Sequence, residues 1–249
     1  MGRPSWPSID DGLEGRPTVN GRLNLNRAKY KTRCMPSSPF RPPTSNSRPP
    51  KFLYFDLGNV LLFFDHRRAA RQMAAAAGVP AELVWEVVFA SGLEHRYEAG
   101  EVSTTEFFEI FCRETNSRPD YQSLAAAAGD IFEPNSPVID LLARLSAAGR
   151  RVGLLSNTCE LHWNHFASGC YPPIPEAFHS VVLSFRAKAM KPEARIYAHA
   201  AELAGVAPSE IFFVDDVAGH VASVRDFGFD AVQYTTPEAL VAELATRGL

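Results

Sequence analysis

A chain of 249 residues that is 46% hydrophobic is long enough for one large domain, or for a domain with a subdomain inserted in it. A formal net charge of −3 and an isoelectric point near 6.2 exclude a global polycation built for nucleic acid, and a strong acidic field as well. Four cysteines, Cys34, Cys112, Cys159 and Cys170, show neither a C-x-x-C pair nor other zinc-like spacing and exclude a disulfide framework. No apolar run approaches the ~18 residues of a membrane span, and the N-terminus lacks the apolar core of a secretory signal. These features lead to the expectation of a soluble, cytoplasmic protein with no nucleic-acid or membrane partner; they leave its oligomeric state open.

Residues 1–50 hold nine of the nineteen prolines, with many Ser, Arg and Asn and few aromatics. Such a segment buries too little apolar surface to offset the entropy of ordering, so a disordered tail is expected, with Met35 as an alternative start. From residue 51 the pattern is regular. The run FLYFD (52–56) reads as a strand and is followed by a long interval, 66–128, that contains RRAARQMAAAA, AELVWEVVFAS, TTEFFEIFCRE and YQSLAAAAG. All four have helical period. The interval is too long for a simple crossover and is expected to be an inserted helical cap, with Asp65 capping its first helix. A helix at 137–148, with Pro137 in its first turn, leads back to RVGLLS (151–156), SVVLS (180–184), IFFVDD (211–216) and DAVQY (230–234). Helical segments at 194–205 and 221–228 separate the later runs, the second closed by Gly228. Continuous apolar strands alternating with helices predict an α/β fold, a Rossmann-like parallel sheet flanked by helices, built from residues 51–65 and 129–249.

In such sheets ligands gather at the carboxyl ends of the strands, so polar residues that end apolar runs are the first candidates. Asp56, Ser156 with Asn157, and Asp215 with Asp216 all do so. Lys191, in MKPEARIY, adds an ammonium. A carboxylate nucleophile, a hydroxyl beside backbone N–H groups, a fixed cation and a carboxylate pair suit a dianionic phosphate with a divalent cation. Asp215 and Asp216 would repel each other if buried unpaired, so a metal or Lys191 is expected beside them. His162 and His165 have an i, i+3 spacing able to hold a metal, but no third ligand is evident in the sequence. Ser156 and Asn157 also read as caps of a following helix.

FDLGNV, LLSNT, MKPEARIY and FFVDD, in this order and strand context, resemble the four motifs of the haloacid dehalogenase superfamily. The resemblance covers about residues 51–235. It is nearest to the branch of bacterial glucose-1-phosphate phosphatase and the N-terminal phosphatase domain of soluble epoxide hydrolase, whose cap segment YEAGEVSTTEFF also resembles. The resemblance implies that Asp56 is a nucleophile forming an aspartyl-phosphate. Ser156, Asn157 and Lys191 would bind the phosphoryl group, with Lys191 balancing its charge. Mg²⁺ would be held by Asp56, the Gly58 carbonyl and Asp216, with Asp215 orienting Lys191 or a metal-bound water. The implied activity is Mg²⁺-dependent hydrolysis of a small phosphorylated metabolite, a sugar phosphate being the best substrate class.

Two departures stand out. The residue two after the nucleophile is Gly58, where most phosphatases of the superfamily carry an Asp as general acid, and His220 stands where the branch usually has Asn. Glu94 or His95 of the cap could supply the missing acid, and Glu94, His95 and Tyr97 are candidates for setting substrate preference. Two alternative functions follow: a catalytically inactive phosphate-binding regulator, and a metal-independent haloacid dehalogenase.

Overall fold

A computed structural model describes residues 49–171 and 175–249. The expected tail lies, up to residue 48, outside them. Five strands, β1 (Phe52–Phe55), β4 (Val152–Ser156), β5 (Ser180–Leu183), β6 (Ile211–Asp215) and β7 (Asp230–Gln233), form one parallel sheet in the order β5-β4-β1-β6-β7. The expected α/β architecture is therefore present. β1 is central, and the strand order runs outward from it in opposite directions, to β4 on one side and β6 on the other, so a crevice opens at its carboxyl end. That crevice is where open α/β sheets place ligands.

Alternation along β1 divides the core between two layers. Leu53 and Phe55 join a cluster with Val152, Leu154, Phe212 and Val214, whereas Phe52 and Tyr54 join Leu155, Val182, Ile211 and Phe213 on the other face. The second face is covered by α9 (Ala194–Ala204) and α10 (Ala218–Phe227) through Ile196, Ala200, Val221 and Val224. Gly228, at φ 116°, ends α10 as expected, since a side chain is strained in that left-handed region.

Between β2 (Leu62–Phe64) and β3 (Phe132–Pro134) the chain is helical throughout its regular elements. These are α1 (His66–Ala77), α2 (Ala81–Val84) continuing as a wider π-helical turn over Trp85–Ala90, α3 (Leu93–Glu98), α4 (Thr104–Thr115) and α5 (Tyr121–Gly129). Asp65 caps α1 by accepting from the Arg67 N–H at 2.8 Å. Ser103 and Glu106 close a reciprocal capping box on α4. Met73, Phe89, Tyr97, Phe107 and Phe111 from these helices pack in the same cluster as Leu53 and Phe55. β2 and β3 pair antiparallel, Leu62 opposite Pro134. Sequence patterning shows neither, because three residues are too few to display a period of two. The chain continues through α6 (Ser136–Ala147), α7 (Glu160–His165), α8 (Ser184–Ala187) and α11 (Pro237–Ala245). None of the described helices is by itself long and apolar enough to cross a membrane.

Candidate active site

Asp56 follows β1 directly and is fully buried. Its Oδ1 accepts the N–H of Leu57 at 2.8 Å and lies 2.9 Å from Lys191 Nζ, which fixes the carboxylate plane. Lys191 reaches it from the loop before α9 and also meets Asp215 Oδ2 at 2.6 Å. Burial opposes the ammonium charge, but Asp215 and Asp56 outweigh it and raise the Lys191 pKa. Asp215 shows the converse: burial works against its charge, yet Lys191 and then His220 hold its pKa below the usual carboxylate range.

Asp215 is occupied on both oxygens. Oδ1 accepts the Val217 N–H at 2.8 Å, and His220 Nδ1 lies 3.1 Å from Oδ2. This geometry makes Asp215 the holder of Lys191 and His220. Asp216 is different. Its Oδ2 accepts from Asn59 Nδ2 at 3.0 Å, while its buried Oδ1 has no hydrogen-bond partner among the described residues. Burial first, and then the neighbouring Asp56, push its pKa up to about 6. Asp56, Asp215 and Asp216 each offer an oxygen within 4.8 Å of the others. Three carboxylates around a single buried lysine leave negative charge unbalanced, and an oxygen without a hydrogen-bond partner among the described residues suits a hard cation.

Ser156 ends β4, one strand away from Asp56, with Asn157 after it. The expectation that they cap the next helix is corrected by the structure: α7 begins at Glu160 with Cys159 in the cap position. The Asn157 side chain is engaged elsewhere. Its Oδ1 accepts the Lys191 N–H at 2.8 Å and its Nδ2 donates to the Lys191 carbonyl at 3.0 Å, so it fixes the backbone from which the ammonium projects. Thr158 N–H donates to Ser184 Oγ at 2.9 Å, and that hydroxyl donates to the Glu98 carbonyl at 2.7 Å. The LSNT segment is thereby joined to α3.

The structure thus brings Asp56, Lys191, Asp215 and Asp216 together, with Asn157 behind the lysine. Gly58 lies in the turn between β1 and β2, bridged to Leu62, and carries no side chain toward the site. Of the expected cap residues Glu94 and Tyr97 are buried, and His95 is exposed. Sequence reasoning passed over Asn59 and left His220 undecided. Asn59 has a left-handed backbone, φ 53°, which Asn tolerates better than most residues, and its place in FDLGN was the available signal. His220 is buried against Asp215, five residues earlier.

Residues 51–228 match the family described as haloacid dehalogenase-like hydrolase. The chain belongs to that family. A family enzyme of Bacteroides thetaiotaomicron superposes with a TM-score of 0.68 at 25% identity, over 76% of this chain and 95% of its own. The same enzyme in complex with magnesium and inorganic phosphate gives 0.66 at 25% identity, over 74% and 94%. The fold is shared also with L-2-haloacid dehalogenase of Xanthobacter autotrophicus, TM-score 0.52 at 23% identity, over 79% and 82%. As a haloacid dehalogenase-like hydrolase the protein is an enzyme whose motif residues sit at the ends of β1, β4 and β6.

Proposed function

We propose that the protein is a Mg²⁺-dependent phosphatase of a small phosphorylated metabolite, with Asp56 as nucleophile. The observation that carries this reading is the buried Asp56–Lys191–Asp215 chain beside Asp216, whose Oδ1 has no hydrogen-bond partner among the described residues. The Bacteroides relative bound to magnesium and inorganic phosphate supports it. Mg²⁺ would be held by Asp56, Asp216 and the Gly58 carbonyl. When bound, it would supply the positive charge that lets a phosphate dianion approach a carboxylate.

Asp56 attacks phosphorus and the ester oxygen departs, leaving an aspartyl-phosphate that water then hydrolyses. Lys191, held charged by its two carboxylates, balances Asp56 and the phosphoryl oxygens. Asn157 keeps Lys191 in place, and Ser156 with its neighbouring N–H groups binds phosphoryl oxygen. The helices between β2 and β3 act as a cap that excludes water and selects the leaving group. Because Gly58 offers no acid, the favoured substrates have leaving groups that need little protonation, such as anomeric sugar phosphates.

A screen of phosphorylated metabolites for phosphate release, with Mg²⁺ and with EDTA, tests the reading. Release of phosphate only with Mg²⁺ supports it. Halide release from 2-haloacids, undiminished in EDTA, would establish the dehalogenase alternative. A folded protein that binds phosphate without any turnover would establish the regulatory one.

A further inference from the structure

A second group of ligating side chains lies apart from the strand-end carboxylates. Glu94 and Glu98, four residues apart and so on one face of α3, meet His162 of α7. The three offer ligand atoms within 4.8 Å of one another, and all are buried. Glu94 and His162 line a cavity of about 20 Å³ with Cys159, Tyr97 and apolar neighbours, room for about one water or ion. Glu94 Oε2 and His162 Nδ1 point to a missing occupant, since neither has a hydrogen-bond partner among the described residues.

The surroundings agree. His66 Nε2 lies 3.2 Å from Glu94 Oε1, in a pocket otherwise lined largely by apolar side chains. Burial, and then Glu98, raise the Glu94 pKa well above the usual range. Burial and then His66 push the His162 pKa down to about 3, so its ring is neutral and has a lone pair to give. The Cys159 thiol is pushed up by burial and stays protonated.

We propose that Glu94, Glu98 and His162 hold one divalent transition-metal ion of the zinc type, which ties the inserted helices to the first helix after LSNT. One imidazole, two carboxylates and space for a water match the four-coordinate preference of Zn²⁺. Mg²⁺ is the poorer match, because it asks for six oxygens in a near-ideal octahedron. This site is independent of the phosphatase reading.

The test uses the full chain, stripped with chelator, loaded with Zn²⁺ under excess Mg²⁺ and desalted. The expected metal content is one equivalent, retained in Asp216→Asn and bound at least about tenfold more weakly in Glu98→Gln and His162→Gln. Circular dichroism checks that the variants fold. Loading the wild-type protein with Co²⁺ instead needs no variant, and a visible d–d absorption with four-coordinate intensity is expected. A colourless Co²⁺ protein, equal Zn²⁺ retention in Glu98→Gln, or loss of Zn²⁺ in Asp216→Asn would each overturn the proposal.

Discussion

Lys191 Nζ lies 2.6 Å from Asp215 Oδ2, and both side chains are fully buried. Removing one partner of such a pair leaves the other charged in a dry interior, which costs about 3–5 kcal/mol. Asp56, 2.9 Å from the same Nζ, still balances Lys191 once Asp215 is removed, so Asp215→Ala is expected to destabilise the fold by less than that amount, read from urea unfolding. The sign against pH follows from the shifts. Asp215, held low, contributes stability above its unfolded pKa that is lost as pH falls through the folded one. Lys191, held high, contributes stability below its unfolded pKa that is lost as pH rises through the folded one. The acid limb should be weaker in Asp215→Ala; an unchanged acid limb would contradict the pairing.

Asp56→Asn should abolish turnover while the protein stays folded and still binds phosphate. Asparagine is nearly isosteric but cannot attack as an anion. Rates are measured on the best substrate of the screen; activity within tenfold of wild type would rule out Asp56 as nucleophile.

On the proposed function, Asp216, raised to about 6, would make Mg²⁺ binding pH-dependent, because the cation needs the ionised carboxylate. Affinity measured by calorimetry should fall as pH drops through about 6. Without metal, the folded state binds more protons than the unfolded between about pH 4 and 6, so stability declines as pH rises across that window. Asp216→Asn should accordingly raise the Tm of the metal-free protein at pH 7.5 and change it little at pH 4, while abolishing the gain in Tm that Mg²⁺ gives the wild type. Equal effects at both pH values would refute the shift.

With no acid at Gly58, kcat/KM should rise steeply with leaving-group acidity across a series of phosphate esters. General acid catalysis is typically worth ~10² to 10⁴ in rate. Gly58→Asp should flatten the series by accelerating poor leaving groups most. A flat series in the wild-type enzyme would show that another residue already donates the proton.

Gly100, after α3, lies against Phe185 of α8. It has φ +68°, and a Cβ there would stand 2.3 Å from the Phe185 carbonyl oxygen, while its own carbonyl accepts from the Lys188 ammonium. Gly205 has nearly the same φ, +65°, with nothing within 4 Å. Gly100→Ala should therefore cost more than Gly205→Ala, by at least ~1 kcal/mol in unfolding free energy. Equal losses would show that φ alone is responsible and that the close approach is relaxed in solution.

The local sequence determined the five strands of the parallel sheet, the helical interval and the four motif segments, because each is written in neighbours. FLYF, VGLLS and IFFVD are continuous apolar runs that only a sheet covered on both faces can bury, and each is followed by or ends in a polar residue at the site. Asp65 and Gly228 could be read as helix ends for the same reason. What the tertiary structure decided joins residues far apart in the chain. Asn59 meets Asp216, Asn157 grips Lys191, and Ser184 links Thr158 to Glu98. His162 meets Glu94 and Glu98, with ligand atoms within 4.8 Å of one another, rather than its sequence neighbour His165. A side chain's local sequence fixes its periodicity and cap preference, but its ion-pair or ligand partner depends on which elements pack together. Lys191 shows the difference: nothing in MKPEARIY says that the ammonium is shared between two carboxylates, and only the parallel pairing of β1 with β6 places both of them within its reach.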